Sequence, residues 1–177
     1  MDFIEGFPTS AQFNCILVIV DKLSKYVHFI KLKHPFSALQ VNKVYMEQVY
    51  RLHGMPTAIV SDRDKIFTSH LWKELLSLSS TQLNMSSAYH PQSDGQTERV
   101  NQCIEAYLCC FIQSCPSQWS QWLHLAGYWY NTCHHASHQH TPFEVLYGHS
   151  PKHFGIDPNQ DCHVPDLGRL VTRPQNC

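Results

Sequence analysis

The feature that most constrains the fold is an unbroken run of six apolar residues, Cys15-Ile16-Leu17-Val18-Ile19-Val20. Its β-branched side chains favour a strand over a helix. Because successive side chains of a strand point to opposite faces, a strand that is apolar throughout has to be covered on both sides. The run is far too short to cross a bilayer. It therefore predicts an internal strand of a sheet that has helices on each face.

The segments around this run predict four more strands. Residues 21–25 form only a short connection, so the run and the strand that follows it are expected to form a hairpin. Helical patterns separate the later strands, which implies an α/β fold with a mixed sheet and helices on both faces. The additional predicted strands cover residues 1–4, 26–32, 57–61 and 81–86.

Capping residues and glycines set the predicted helix boundaries. Ser37 with Gln40 is a capping-box pattern, and Gly54 can adopt the left-handed conformation that ends this helix. Ser69 caps a second helix. The later helices are a long one with an apolar stripe at Val100, Ile104, Leu108 and Phe111/Ile112, one over residues 117–133 with Trp119, Trp122 and Trp129 in the core, and one over 141–148.

Length and composition predict one folded domain. At about 150 residues per domain, 177 residues make roughly one, which we assign to residues 1–150, with an irregular tail at 151–177. A chain that is 43% apolar and 15% charged is not disordered. The formal net charge of −1 argues against a stand-alone nucleic-acid-binding domain, although it leaves room for a local basic patch.

The eight cysteines predict reduced, buried thiols in an intracellular protein, because the chain has neither a Cys-x-x-Cys pair nor a secretory signal. One cluster combines cysteine with histidine and includes Cys133, His134, His135, His138 and His140. Its spacing fits no standard zinc motif. An exposed loop is favoured there, with a zinc site as the alternative.

Three carboxylates stand out by their positions. Asp2 lies in the first strand, Asp62 follows the fourth, and Glu98 lies in the first turns of the long helix, with 35 residues between the last two. Like charges held close together repel unless divalent cations neutralise them, and hard oxygen ligands suit Mg²⁺ or Mn²⁺. The alternative for each is a turn, capping or helix-dipole role. That alternative is favoured for Asp64 and Asp94.

The residues around these carboxylates carry a specific resemblance. Together they closely resemble the catalytic core of gypsy-type LTR-retrotransposon integrases, particularly those of plant elements, within the retroviral integrase superfamily. The match covers roughly residues 1–155. The matching segments are Met1 to Pro8, Ile59 to Asp64, Phe67 to Ser69, Ser87 to Asn101, Tyr128 to Thr132 and Thr141 to Gly148.

The resemblance implies a ribonuclease-H-like fold with a mixed five-stranded sheet flanked by helices. It implies that Asp2, Asp62 and Glu98 form a catalytic triad that binds Mg²⁺ or Mn²⁺, with two ions expected. The implied activity is metal-dependent 3′-end processing of element cDNA followed by strand transfer into target DNA, in the nucleus and by a homo-oligomer. No membrane partner is expected.

The long helix is also expected to contact DNA. Glu98, Asn101, Gln102 and Glu105 share one face opposite the apolar stripe, for which a solvated polar face is the alternative. Related retroviral cores carry lysines later on this helix, whereas this chain has Gln102 and Glu105. The candidate DNA-binding residues are Tyr89, His90, Gln92, Arg99, Asn101 and Gln102.

Two other functions stay open at the level of sequence. Only Met1 precedes Asp2, so the first strand is expected to be truncated and to fray. A catalytically inactive integrase remnant that binds DNA or protein is therefore one alternative. The other is a ribonuclease-H-like nuclease that cuts without joining. The chain is expected to be a fragment of a longer polyprotein, since the family's flanking domains have no room in it.

Overall fold

The computed structural model describes residues 1–85, 95–112, 115–135 and 139–152. Most of the predicted tail, residues 151–177, and the whole of Tyr89, His90 and Gln92 lie outside these ranges. None of the helices in the described ranges is long and apolar enough to cross a membrane. The strands are β1 (Asp2–Ile4), β2 (Cys15–Val20), β3 (Val27–Leu32), β4 (Ala58–Ser61) and β5 (Gln82–Met85).

Six α-helices lie between and after these strands. Helix α1 runs on through a π-helical turn, Met46–Tyr50, into α2, and a short 3₁₀ turn, Pro116–Gln118, precedes α5. The α-helices are α1 (Ala38–Tyr45), α2 (Arg51–His53), α3 (His70–Leu78), α4 (Gly95–Ile112), α5 (Trp119–Thr132) and α6 (Pro142–Tyr147).

The five strands form two sheets. Strands β1, β2 and β3 form an antiparallel sheet in which Asp2 lies opposite Val18, and β4 pairs in parallel with β5. The prediction of one five-stranded sheet is therefore wrong for the described residues. The three residues of β1 pair with β2, and Met1, the residue before β1, donates a hydrogen bond of 2.7 Å from its ammonium group to the Val60 carbonyl of β4.

Strand β2 separates two hydrophobic cores, as its apolar run predicts. Alternate side chains, Cys15, Leu17 and Ile19, pack in one core with residues of α1 and α3, among them the fully buried Trp72. The side chains between them, Ile16 and Val18, pack in the other core with α4 and α5. The sheet thus has helices on both faces, and β2 contributes buried surface to each layer.

The predicted helix caps are largely confirmed. Ser37 and Gln40 form the capping box of α1, Ser69 caps α3, and Thr141 forms a second capping box in front of α6. The left-handed cap predicted at Gly54 is wrong. Its φ is 72° but its ψ is −166°, so this glycine turns the chain outward into an extended conformation after α2.

The aromatic side chains of α5 are divided between core and surface. Trp119 is fully buried, and its indole N–H donates to the Pro8 carbonyl at 2.7 Å. The prediction that Trp129 belongs to the core is wrong. It is 39% exposed and stacks on Tyr107 of α4, with 4.7 Å between ring centroids. Trp122 is partly buried against the second core.

The cysteines in the described ranges are all free thiols. The prediction of buried thiols is correct for Cys15 and wrong for Cys109 and Cys110, which are exposed on α4. Near the end of α5, His135 and His140 form an isolated β-bridge, while His138 lies outside the described residues.

One buried asparagine fastens α5 to β3. The Asn131 side-chain amide donates to the Val27 carbonyl at 2.9 Å, and its oxygen accepts from the Val27 N–H at 2.8 Å. Both groups of Val27 would lack a partner without this amide. Leaving a buried N–H or C=O group without a hydrogen bond lowers the free energy of unfolding by more than the net contribution of a typical hydrogen bond.

We expect Asn131→Leu to lower the free energy of unfolding by about 2 to 4 kcal/mol, because two buried backbone groups lose their partners. Asn131→Asp keeps the acceptor but places a buried carboxylate against the Val27 carbonyl, so at pH 7 it should also be destabilising, and less so at acidic pH where a protonated carboxyl can donate. Urea denaturation followed by circular dichroism measures both. A leucine variant within about 0.5 kcal/mol of the parent chain would contradict this role for Asn131.

Candidate active site

Two of the three predicted catalytic carboxylates lie at neighbouring strands. Asp2 is the first residue of β1, and Asp62 directly follows the last residue of β4. The Met1–Val60 hydrogen bond joins these two strands one or two residues before each aspartate. The chain therefore places both carboxylates at the boundary between the two sheets, although they are 60 positions apart in the sequence.

The third carboxylate, Glu98, lies on α4, whose orientation is set by its apolar stripe. Val100, Ile104, Leu108 and Ile112 are buried in the second core, as predicted. The opposite face then points away from that core. On it, Glu98, Gln102 and Glu105 are exposed and Asn101 is half-buried. The predicted polar face of this helix is thereby confirmed.

A hydrogen bond joins this face of α4 to β1. The Asn101 side-chain N–H donates to Asp2 Oδ2 at 2.7 Å, and Asp2 Oδ1 accepts from the Phe3 backbone N–H at 2.8 Å. Bonds of this kind, to a charged acceptor, are stronger than neutral ones. Asn101 lies one helical turn after Glu98, so the bond holds the turn that carries Glu98 next to Asp2.

Asn101 was predicted from the sequence only as a DNA-contacting residue. The structure places it instead as a direct neighbour of the Asp2 carboxylate. Its spacing of three residues from Glu98 was the available signal, since residues three apart share a helix face. Its own oxygen, Oδ1, is buried and has no hydrogen-bond partner among the described residues.

The turn after β4 is held by its own hydrogen bonds. Asp62 Oδ1 accepts from the Asp64 N–H at 3.2 Å, and Asp64 Oδ1 accepts from the Ile66 N–H at 2.7 Å. The Asp64 carbonyl also accepts from both the backbone N–H and the hydroxyl of Thr68. The structural role expected of Asp64 is therefore confirmed, and the turn fixes the backbone that presents Asp62.

The electrostatic effect of these carboxylates is visible at Cys15. Burial raises the pKa of its thiol to about 12, and the negative charges of Glu5, Asp64 and Asp2 act in the same direction. Glu5, which immediately follows β1, was not among the predicted site residues. The raised pKa disfavours the thiolate, which is the nucleophilic form of cysteine.

The donor atoms of the site suit a hard divalent cation in their chemistry. Three carboxylates and the unpartnered Asn101 oxygen are the kind of ligands that Mg²⁺ and Mn²⁺ prefer. The spacing of these side chains, however, does not match that of a metal site. Within the described residues, no three Asp, Glu, His or Cys side chains lie close enough together to hold a metal ion. We therefore derive no step of the reaction through a metal.

The other predicted DNA-contacting residues are dispersed. Gln102 is exposed beside Asn101. Arg99 is exposed on a different side of α4, the side that faces α5. Burial and the nearby Cys103 raise the pKa of the Tyr130 hydroxyl in α5 to about 12, and the positive charge of Arg99 opposes that shift. Arg99 is thus directed away from Asp2.

Comparison with known sequences identifies relatives among retrotransposon polyproteins. The chain is 36% identical over 151 residues, or 85% of its length, to the Transposon Tf2-3 and Tf2-4 polyproteins of Schizosaccharomyces pombe. The match spans only 11% of the length of those polyproteins. No protein-family profile matches the chain.

Comparison with solved structures identifies retroviral integrases. The HTLV-2 integrase catalytic core domain, solved in complex with magnesium, superposes with a TM-score of 0.64 and 18% identity over 81% of this chain and 93% of that one. The BIV integrase catalytic core domain superposes with a TM-score of 0.61 and 23% identity, over 81% of this chain and 91% of that one. A chain of the simian T-cell lymphotropic virus intasome, solved in complex with PP2A regulatory subunit B56 gamma, superposes with a TM-score of 0.69 and 18% identity, over 91% of this chain and 58% of that one.

The fold is therefore that of a retroviral integrase catalytic core, which is ribonuclease-H-like. By sequence, the chain is a homologue of retrotransposon polyproteins, and its structural neighbours are retroviral integrase catalytic cores. These comparisons confirm the resemblance to retrotransposon integrase cores that the sequence motifs carry. The narrower assignment to gypsy-type and plant elements stays a prediction.

The Asp2–Asn101 bond generates a prediction with a pH dependence. Asn101→Leu should lower the free energy of unfolding by about 1 to 2 kcal/mol through loss of a charge-assisted hydrogen bond. Asn101→Asp should cost more at pH 7 than at pH 4, because two adjacent carboxylates repel until one of them takes up a proton. Thermal and urea denaturation at both pH values measure these differences.

Gln102→Leu is the matched control, since Gln102 is exposed on the same turn and should change stability by less than about 0.5 kcal/mol. Equal losses in the Asn101→Leu and Gln102→Leu variants would show that the bond to Asp2 contributes nothing.

Proposed function

We propose that the chain is the catalytic core of an LTR-retrotransposon integrase, of gypsy type and plant-like, acting on DNA. The observation that carries the proposal is the hydrogen bond from Asn101 to Asp2. It ties the helical turn of Glu98 to the strand of Asp2, and Asp62 directly follows the last residue of β4. The three carboxylates belong to three separate parts of the fold: β1, the turn after β4, and α4.

Each proposed catalytic residue has a positional role. The proposal includes two Mg²⁺ or Mn²⁺ ions held by Asp2, Asp62 and Glu98, which would have to come closer together than they lie in the structure; a structural neighbour is solved in complex with magnesium. Such ions, when bound, activate an attacking oxygen and stabilise a leaving one. Asn101 holds the Asp2 carboxylate in place, and the turn from Asp62 to Thr68 fixes the position of Asp62.

The proposed reaction is 3′-end processing of element cDNA followed by strand transfer into target DNA. The carboxylates hold no covalent intermediate in this scheme, so the protein acts by positioning and by charge. The structural neighbours include dimeric and trimeric forms and an intasome. We extend the proposal accordingly to a homo-oligomer that acts on DNA in the nucleus.

A strand-transfer assay tests this function. The purified chain is incubated with oligonucleotides that carry element ends and with a target duplex, in Mg²⁺ and separately in Mn²⁺. We expect joined products from the parent chain and a loss of at least about a hundredfold in Glu98→Gln, which keeps the size of the side chain and removes its charge. Glu105→Gln, the same change on the same helix face, is the matched control and should retain activity.

The products separate the alternatives. Nicked DNA without joined product would identify a ribonuclease-H-like nuclease instead. No product of either kind from a folded chain would contradict the proposal and favour a non-catalytic remnant.

A further inference from the structure

A cavity of about 470 Å³ lies at the end of the β4–β5 sheet, directly beside the turn of Asp62. It is lined by Arg63, Thr68, Lys73, Leu83 and Met85. Ser61, the residue before Asp62, pairs with Met85 across the two strands. The cavity therefore opens where the parallel strands end, the position at which ligands commonly bind in α/β folds.

The two cations of this cavity are available for an external anion. Arg63 and Lys73 are both exposed, and neither forms an ion pair with a carboxylate in the described ranges. Their backbones are well held. The hydrogen bonds of Asp62 and Asp64 fix the turn that carries Arg63, and the fully buried Trp72 anchors α3 next to Lys73.

The lining residues favour a phosphodiester over a small inorganic anion. An arginine offers two parallel N–H donors to a phosphate, and a lysine adds a compact positive charge. The partly buried side chains of Leu83 and Met85 supply an apolar wall against which a sugar or base can pack. Phosphate oxygens and apolar rings alternate along a nucleic-acid strand, so one strand satisfies both parts of the cavity.

Helix α4 does not provide this positive charge on the face next to Asp2. That face carries Glu98, Gln102 and Glu105, while Arg99 is directed towards α5. A polyanion that approaches the carboxylates would be repelled along α4. The cavity lined by Arg63 and Lys73 adjoins the turn of Asp62, where attraction can offset that repulsion.

We propose that Arg63 and Lys73 bind backbone phosphates of the DNA strand whose reacting phosphate lies at Asp62. This inference rests on the proposed function and names the surface that holds its substrate. It also reconciles a chain with a net charge of −1 with a DNA substrate, because attraction needs only a local pair of cations at the right place.

DNA affinity, measured apart from activity, tests the proposal. Fluorescence anisotropy of a labelled duplex and a labelled single strand of the same sequence is recorded in EDTA, so that metal bridges do not contribute. The variant is Arg63→Gln/Lys73→Gln. Its matched control, Lys22→Gln/Lys25→Gln, removes the same charge from the turn between β2 and β3. Thermal denaturation verifies that both variants are folded.

We expect the cavity variant to bind at least about tenfold more weakly, with the slope of log K against log salt reduced by about 2 between roughly 50 and 200 mM NaCl. The control should change affinity by less than about twofold. Equal affinity in the variant and the parent chain, an equal loss in the control, or no DNA binding by the parent chain would each overturn the proposal.

The result can be told apart from a failure of the proposed function. If the parent chain joins DNA ends and the cavity variant binds DNA as well as the parent does, only the cavity assignment is overturned. If the cavity variant loses affinity while the parent chain joins no ends, the phosphate contacts stand and the integrase reaction is contradicted.

Discussion

The structure depends on one strand, β2, that is buried on both faces. Cys15, Leu17 and Ile19 pack into the core formed with α1 and α3, and Ile16 and Val18 pack into the core formed with α4 and α5. A polar residue at any of these positions would bury an unpaired polar group in one of the two cores and lower the free energy of unfolding. The two layers are thus coupled through β2, with smaller contributions from its neighbours β1 and β3, and Asp2 lies in the strand that pairs directly with it.

The candidate site follows from this packing. Asp2 lies opposite Val18 of β2, and α4 reaches the same region because Val100 and Ile104 pack in the core that contains Val18. The bond between Asn101 and Asp2 then closes a contact between residues 99 positions apart. On the β4–β5 side, Arg63 and Lys73 line the cavity for which we propose phosphate binding. Carboxylates and cations thus occupy adjoining but distinct surfaces.

Sequence reasoning succeeded where a feature is local. The β2–β3 hairpin, the capping box at Ser37 and the apolar stripe beginning at Val100 depend on neighbouring residues, and the structure confirms all three. The sequence did not predict features that depend on contacts between residues far apart in the chain. The strands divide into two sheets, with the Met1–Val60 hydrogen bond between them, and Trp129 lies at the surface, where it stacks on Tyr107. The motifs indicated Asp2, Asp62 and Glu98, but no pattern showed that Asn101 bonds to Asp2.

The central proposal is that Asp2, Asp62 and Glu98 bind a divalent cation, although they lie too far apart in the structure to hold one, and metal-dependent thermal stability tests it most directly. A ligand that binds only the folded chain stabilises it by about 2.7 kcal/mol at a hundred times its dissociation constant, which is several degrees for a domain of this size. The account predicts that Mg²⁺ or Mn²⁺ raises the melting temperature and that Asp62→Asn abolishes the shift, while Asp64→Asn retains it. A melting temperature that stays constant across the titration, or a shift that persists in Asp62→Asn, would contradict the account.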